Sequence, residues 1–270
     1  MFRLTLSLCI VVLLATVVVA EPVRFATLNV YWLYDDDPPH QKWAGQREGY
    51  TWKETLATVA DAVASINADV LALQEIESQS TLEDLVEALE ERGKSYPYFW
   101  IGAGTDPFTG QDVAVLSRYP NLTEPIRAYP ALRAEFHTDK GYPRLAALQK
   151  FMRVDIEISG EPVTIYALHL KSRRGNGITT SGERMAQARL IRRLVRANLE
   201  KGRPNIVVMG DFNDGPESDT LREIRGLNDG GSALDIQERK TAGTVRPRAA
   251  QQILVQSGHG SDRDPLRQKR

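Results

Sequence analysis

The sequence predicts a single α/β domain built on mixed β-sheets, and three observations carry that prediction. Short apolar runs alternate with amphipathic helical stretches at residues 23–75 and again at 163–209, the pattern from which helix-covered sheets are made. Two pairs of runs, 96–101 with 112–117 and 152–158 with 163–170, are joined by turn-forming residues and read as hairpins, so parallel and antiparallel neighbours meet in one chain. No internal repeat or linker divides the 270 residues, of which 42% are hydrophobic and 26% charged, enough for one large core.

Val23 to Val30 reads as the first strand, with Asn29 near its carboxyl end. A polar amide there needs a partner, and a loop cap or a cation meets the need. Tyr31 to Tyr50 has loop chemistry. Asp35, Asp36 and Asp37 before Pro38 suit a solvated turn or a metal, while Trp32, Trp43 and Trp52 suit loop anchors or base-stacking platforms. Leu56, Val59, Val63 and Ile66 recur at helical spacing and predict a helix over 52–67. Residues 68–75 give a turn and a buried strand ending in Glu75, an acid that requires a cation or an arginine beside it. A second helix follows over Ser80 to Arg92, with Ser80 and Glu83 spaced as a capping box and Gly93 as its stop.

Residues 131–147 show no period that assigns them. Ser159 to Pro162 forms the turn of the later hairpin, His169 lies at the end of its second strand, and Lys171, Arg173 and Arg174 follow. A packed histidine beside a solvated basic loop accounts for this segment, and so does a phosphate site. A helix over Glu183 to Glu200 leads into Ile206 to Met209, too uniformly apolar for a surface strand. Asp211 and Asn213 come next, and in an extended backbone they point the same way. Asp, Asn, Asp, Gly and Pro after a strand are equally plain turn formers.

The first twenty residues differ from the rest. Arg3 is their only charge, Leu4 to Val19 is nearly unbroken apolar sequence, and Val18 and Ala20 are small, a pattern expected of a cleaved secretory signal. The mature chain is then 21–270, without Cys9, the one cysteine, and without a membrane span. A chain of that size buries enough surface to fold without disulfides. Losing Arg3 leaves 33 basic against 35 acidic residues, a formal charge of −2, so global charge gives nucleic-acid binding no support; a local basic groove is still compatible with it.

Asn29, Glu75, His169, Asp211 and Asn213 all fall at the ends of apolar strands, where open α/β sheets assemble their sites. In Leu28-Asn29-Val30, Leu73-Gln74-Glu75, the run Val113 to Pro120, His169-Leu170-Lys171-Ser172 and Gly210-Asp211-Phe212-Asn213-Asp214, the chain resembles the endonuclease/exonuclease/phosphatase superfamily, also called deoxyribonuclease-I-like. The resemblance implies a four-layer α/β/β/α sandwich with two mixed β-sheets packed face to face, and phosphoester hydrolysis assisted by Mg²⁺ or Mn²⁺. By motif match, Asn29 and Glu75 ligate the metal, Asp211 and Asn213 orient the attacking water, and His169 hydrogen-bonds the phosphoryl oxygen or assists the leaving group. Lys171 and Arg173 are the candidate phosphate contacts of the basic loop. Hard oxygen ligands suit Mg²⁺, and no nucleophilic serine or cysteine is required.

The C-terminal end departs from the family pattern. Gln252-Ile253-Leu254-Val255 lacks the acid of an Ile-Asp-x-Ile segment, and Ser261-Asp262-Arg263 puts Arg263 where the family has its general-base histidine. Asp262 keeps the position of a metal ligand, whereas Arg263 cannot accept a proton and is expected to clamp phosphate instead. His259 replaces the missing base only if the loop folds differently, and the family's final strand has no counterpart before Arg270. The expected function is an exported metal-dependent phosphodiesterase acting on nucleic acid, DNA rather than RNA. The alternatives are a phosphomonoesterase or phospholipid phosphodiesterase of the same fold, and a catalytically impaired relative that binds phosphate or nucleic acid.

Overall fold

The computed structural model describes residues 22–37, 49–104, 106 and 109–227, together with the backbone of 235–237, 243–245 and 251–256. The apolar runs form two sheets. The first contains β1 (Val23–Leu33), β2 (Val70–Ile76), β3 (Tyr98–Ile101), β4 (Asp112–Ser117) and β11 (Gly243–Val245), in the order β11-β1-β2-β4-β3. The second contains β7 (Phe151–Ile158), β8 (Glu161–His169), β9 (Ile206–Asp211), β10 (Asp235–Gln237) and β12 (Gln251–Gln256), in the order β10-β12-β9-β8-β7. Both are mixed: β1 with β2 and β8 with β9 are parallel, β2 with β4 and β7 with β8 antiparallel.

Strand alternation sorts the side chains into layers. Val70, Ala72 and Val115 of the first sheet pack against Val154, Ile165, Val207 and Met209 of the second, forming the middle of the molecule. The opposite face of the first sheet, Leu71, Leu73 and Leu116, is covered by α1 (Trp52–Ile66) and α2 (Gln79–Glu90). Tyr166, Leu168 and Val208 of the second sheet are covered by α3 (Gly177–Glu200) and α4 (Asp219–Arg225). The result is the predicted α/β/β/α sandwich, in which strands buried on both faces explain the unbroken apolar runs.

Local chemistry sets the element ends. Thr51 and Glu54 form a capping box at the start of α1, and Asn67 closes it at φ 48°. α2 corrects the predicted cap: Ser78, at φ −150°, accepts from Thr81 N, and Ser80 lies inside the first turn. The β7–β8 turn is also shorter than predicted. Ser159 and Gly160 alone make it, at φ 54° and 81°, because the register pairs Ile158 with Glu161. α3 starts at Gly177, earlier than its apolar spacing indicates, because Asn176 Oδ1 accepts from Ile178 N and Thr179 N.

The unassigned stretch 131–147 is a hairpin of β5 (Arg133–His137) and β6 (Pro143–Ala147). Ala134 and Ala146 bury its inner face in the α3 core, and Asp139 near its tip accepts from Asn176 Nδ2 at 2.9 Å. Short strands of mixed polarity leave little alternation to read, which is why the sequence conceals it. The first twenty residues, where a signal is expected, and Trp43, His259, Asp262 and Arg263 lie outside the described residues. Among those described, no helix is long and apolar enough to cross a membrane.

Candidate active site

Four strand ends meet at one edge of the sandwich, β1 and β2 from the first sheet and β8 and β9 from the second. The backbone is bulged there. Register shifts between Asn29 and Leu33 and between Gln74 and Ile76, and Tyr31, Trp32 and Glu75 take left-handed φ values of 58°, 59° and 70°. Such conformations cost about 1–3 kcal/mol each and persist only where their surroundings hold them. Here Tyr31 N donates to Asn29 Oδ1 at 2.9 Å and Trp32 N to Glu75 Oε2 at 3.0 Å. Thus the bulge aims two main-chain donors at two site side chains. Asn29 Nδ2 in turn donates to Glu75 Oε1 at 2.9 Å and, between the sheets, to Asp211 Oδ2 at 3.1 Å.

Gly210 brings β9 close to β8. Its φ is 150°, and a Cβ there would overlap the Leu168 carbonyl oxygen. The register sets His169 beside Asp211. His169 Nε2 lies 3.8 Å from Asp211 Oδ2 and 3.9 Å from Glu75 Oε1, and its Nδ1 is buried without a hydrogen-bond partner. Burial pushes this histidine below its ordinary pKa against the opposing pull of Asp211 and Glu75, which favours the neutral ring.

Of the two readings of Asp211 to Asn213, the turn is what forms, not the extended backbone. Asn213 turns into the left-handed region at φ 50°, its N donates to Asp211 Oδ1 at 2.8 Å, and its Nδ2 donates to Leu170 O at 2.9 Å. Asn213 therefore secures the strand end and the Asp211 carboxylate. In the basic loop, Arg173 is committed to Asp214 at 2.6 Å and to Asn213 O at 3.0 Å, while Lys171 and Arg174 are exposed. Burial alone would raise the Asp214 pKa, but Arg173, Thr220 and Arg184 outweigh it and hold the carboxyl below its usual range.

Two participants escaped the sequence reading. Gln111, 3% exposed, places Nε2 3.4 Å from Glu75 Oε2, and Lys150 Nζ donates to Gln111 Oε1 at 2.9 Å. Both precede the first residue of a strand whose antiparallel neighbour carries a site residue at or next to its end: β4 starts beside the end of β2, where Glu75 is the penultimate residue, and β7 starts beside the end of β8. Polar residues immediately before such strands were the available signal.

Glu75 Oε1 and Asp211 Oδ2 converge on an amide nitrogen and a histidine that burial keeps neutral. That arrangement offers hard oxygen and lacks positive charge, which fits a small divalent cation. Among the described residues no three His, Cys, Asp or Glu side chains form a metal cluster. Asp262, the further acid expected at this site, is not among them.

The sequence model of the Endonuclease/Exonuclease/phosphatase family matches residues 26–257. Similar solved structures include a beta toxin mutant from Staphylococcus aureus with bound magnesium ions, at 14% identity and TM-score 0.54, covering 82% of this chain and 74% of that one. Sphingomyelinase C from Streptomyces griseocarneus is 18% identical, with TM-score 0.50 and coverage of 80% and 72%. The human Nocturnin catalytic domain with bound sulfate is 16% identical, with TM-score 0.50 and coverage of 78% and 71%. No curated protein matches the chain.

Proposed function

Because the chain belongs to the endonuclease/exonuclease/phosphatase family, a family of phosphoester hydrolases, we propose that it is an exported, Mg²⁺- or Mn²⁺-dependent phosphodiesterase that cleaves DNA. The observation that carries this reading is the convergence of Asn29, Glu75, His169 and Asp211 from two sheets, with contacts of 2.9 to 3.9 Å. Glu75, with Asp262 from the C-terminal segment, would hold the cation, and Asn29 would join them through Oδ1, the oxygen that here accepts from Tyr31 N. A cation held there would supply neutralisation of the phosphoryl oxygens. Asp211 orients the attacking water, with Asn213 fixing that carboxylate through its main-chain N. His169 in its neutral form donates to a phosphoryl oxygen or to the leaving group.

Lys171 and Arg174 give the site an exposed basic rim suited to a polyanion. Arg263 supplies a further phosphate contact where the family has a base, and Arg173 reaches substrate only by leaving Asp214. The signal-like first twenty residues support export of a single domain over 21–270.

The test is Mg²⁺-dependent nicking of supercoiled plasmid by the full-length protein beside Asp211→Ala and Arg263→His. Nicking by the natural protein that Asp211→Ala abolishes supports the proposal. Activity confined to Arg263→His makes the natural chain a binding relative. A phospholipid headgroup is the second reading, favoured by Tyr142 and Ile178, 64% and 67% exposed on either side of the Asp139–Asn176 contact beyond the basic loop. Hydrolysis of choline-phospholipid vesicles with no nicking selects it.

A further inference from the structure

We propose that Lys150 and Gln111 are positioning residues that make the site prefer Mg²⁺ over Ca²⁺, by taking one of the two Glu75 oxygens out of use. The inference rests on Glu75 as a cation ligand. Lys150 Nζ is a donor only; it pairs with Asp106 Oδ2 at 3.0 Å and donates to Gln111 Oε1 at 2.9 Å and Thr109 Oγ1 at 3.3 Å. With its carbonyl end held by an ammonium, the buried Gln111 amide must turn its NH₂ end to Glu75 Oε2, at 3.4 Å. Trp32 N donates to the same oxygen at 3.0 Å.

Two N–H groups thus cap Oε2, whereas Oε1 accepts from the single Asn29 Nδ2 at 2.9 Å and faces His169 Nε2, 3.9 Å away. Mg²⁺ takes six ligands in a small octahedron and accepts single carboxylate oxygens, whereas Ca²⁺ favours six to eight and commonly uses both oxygens of one carboxylate. A glutamate restricted to one oxygen therefore suits the smaller ion. The Lys150 main chain is committed separately, its carbonyl accepting from His169 N at 3.0 Å, so side-chain substitution leaves the strand pairing intact.

The experiment reads metal binding without turnover. Metal-free full-length protein is titrated with Mn²⁺, free Mn²⁺ is followed by electron paramagnetic resonance, and Mg²⁺ and Ca²⁺ are added as competitors. Lys150→Met and Gln111→Leu are each expected to lower the Mg²⁺-over-Ca²⁺ preference by about tenfold, the scale on which outer partners tune metal affinity. Lys150→Arg, still a cationic donor, keeps it. Gln111→Leu fills the same volume and carries the test if Lys150→Met does not fold. An unchanged Mg²⁺ to Ca²⁺ ratio in a folded Gln111→Leu overturns the proposal while leaving Glu75 a ligand. Absence of Mn²⁺ binding by the natural chain overturns both.

Discussion

Asp211, 4% exposed, accepts from Asn29 Nδ2 on one oxygen and from Asn213 N on the other. Truncating it removes the carboxylate proposed to orient the water, leaves the part-buried Asn213 N without this acceptor and leaves Asn29 Nδ2 with Glu75. For Asp211→Ala we expect phosphoester cleavage to fall at least ~100-fold, with about 1–3 kcal/mol lost in urea unfolding. Activity within a fewfold of the natural protein would remove Asp211 from the mechanism.

Asp112 makes a separate, pH-dependent prediction. It is 7% exposed, and burial pushes its pKa from 3.8 up to about 6, against the hydrogen bonds from Gly104 N and Val113 N. Between pH 4 and pH 6 the unfolded chain has lost this proton while the folded chain retains it. Its contribution is therefore full below about pH 4 and lost as pH rises through about 6, a change of about 3 kcal/mol. The unfolding free energy of the natural protein minus that of Asp112→Asn should fall by that amount from pH 4 to 7. Parallel curves for the two proteins would refute it.

Among the elements, α2 and α3 show what one residue type does at different places. Ser78 is extended and caps α2, whereas Ser80, two residues later, is helical. Ser78→Ala should cost about 1 kcal/mol in urea unfolding, and Ser80→Ala only a few tenths. Equal costs would mean that hydroxyl identity, not backbone position, makes the cap. At α3 the first turn, Gly177 to Thr180, has low helix propensity and is held by Asn176, itself tied to Asp139 of the β5–β6 hairpin. That dependence explains why the sequence reveals the helix only from Glu183. Periodicity reports burial on one face, and an end held by a distant hairpin leaves no periodic trace.

For the whole molecule, the sandwich was legible because strands such as Val70–Ile76 are buried on both faces and read as unbroken apolar runs. Asn29, Glu75, His169 and Asp211 were legible because each stands at the end of such a run. Gln111 and Lys150 were not, since their proximity to Glu75 depends on which strands run antiparallel, a property of sheet order. The basic rim adds a molecular-scale prediction. The chain is slightly acidic overall, so the attraction for DNA that the proposed function requires has to be local. Each phosphate contact contributes about −0.9 to the log–log salt slope of binding, and Lys171→Ala should make that slope shallower by about 1. An unchanged slope would place DNA elsewhere on the surface.

The hydrogen bond between Asn29 and Asp211 crosses from one sheet to the other, while Val115, Met209 and their neighbours separate the sheets mainly by apolar packing. The candidate catalytic centre thus straddles a slip plane. Its spacings act as a caliper on the alignment of two slabs that are joined over most of their area by contacts indifferent to direction. A sub-ångström slide set by one methylene in that middle layer costs little as burial. At the rim it detunes all four groups together, and a displacement of about 1 Å is worth 100-fold in rate. Substitutions deep between the sheets, far from any phosphate, should therefore register first as lost catalysis and only later as lost fold.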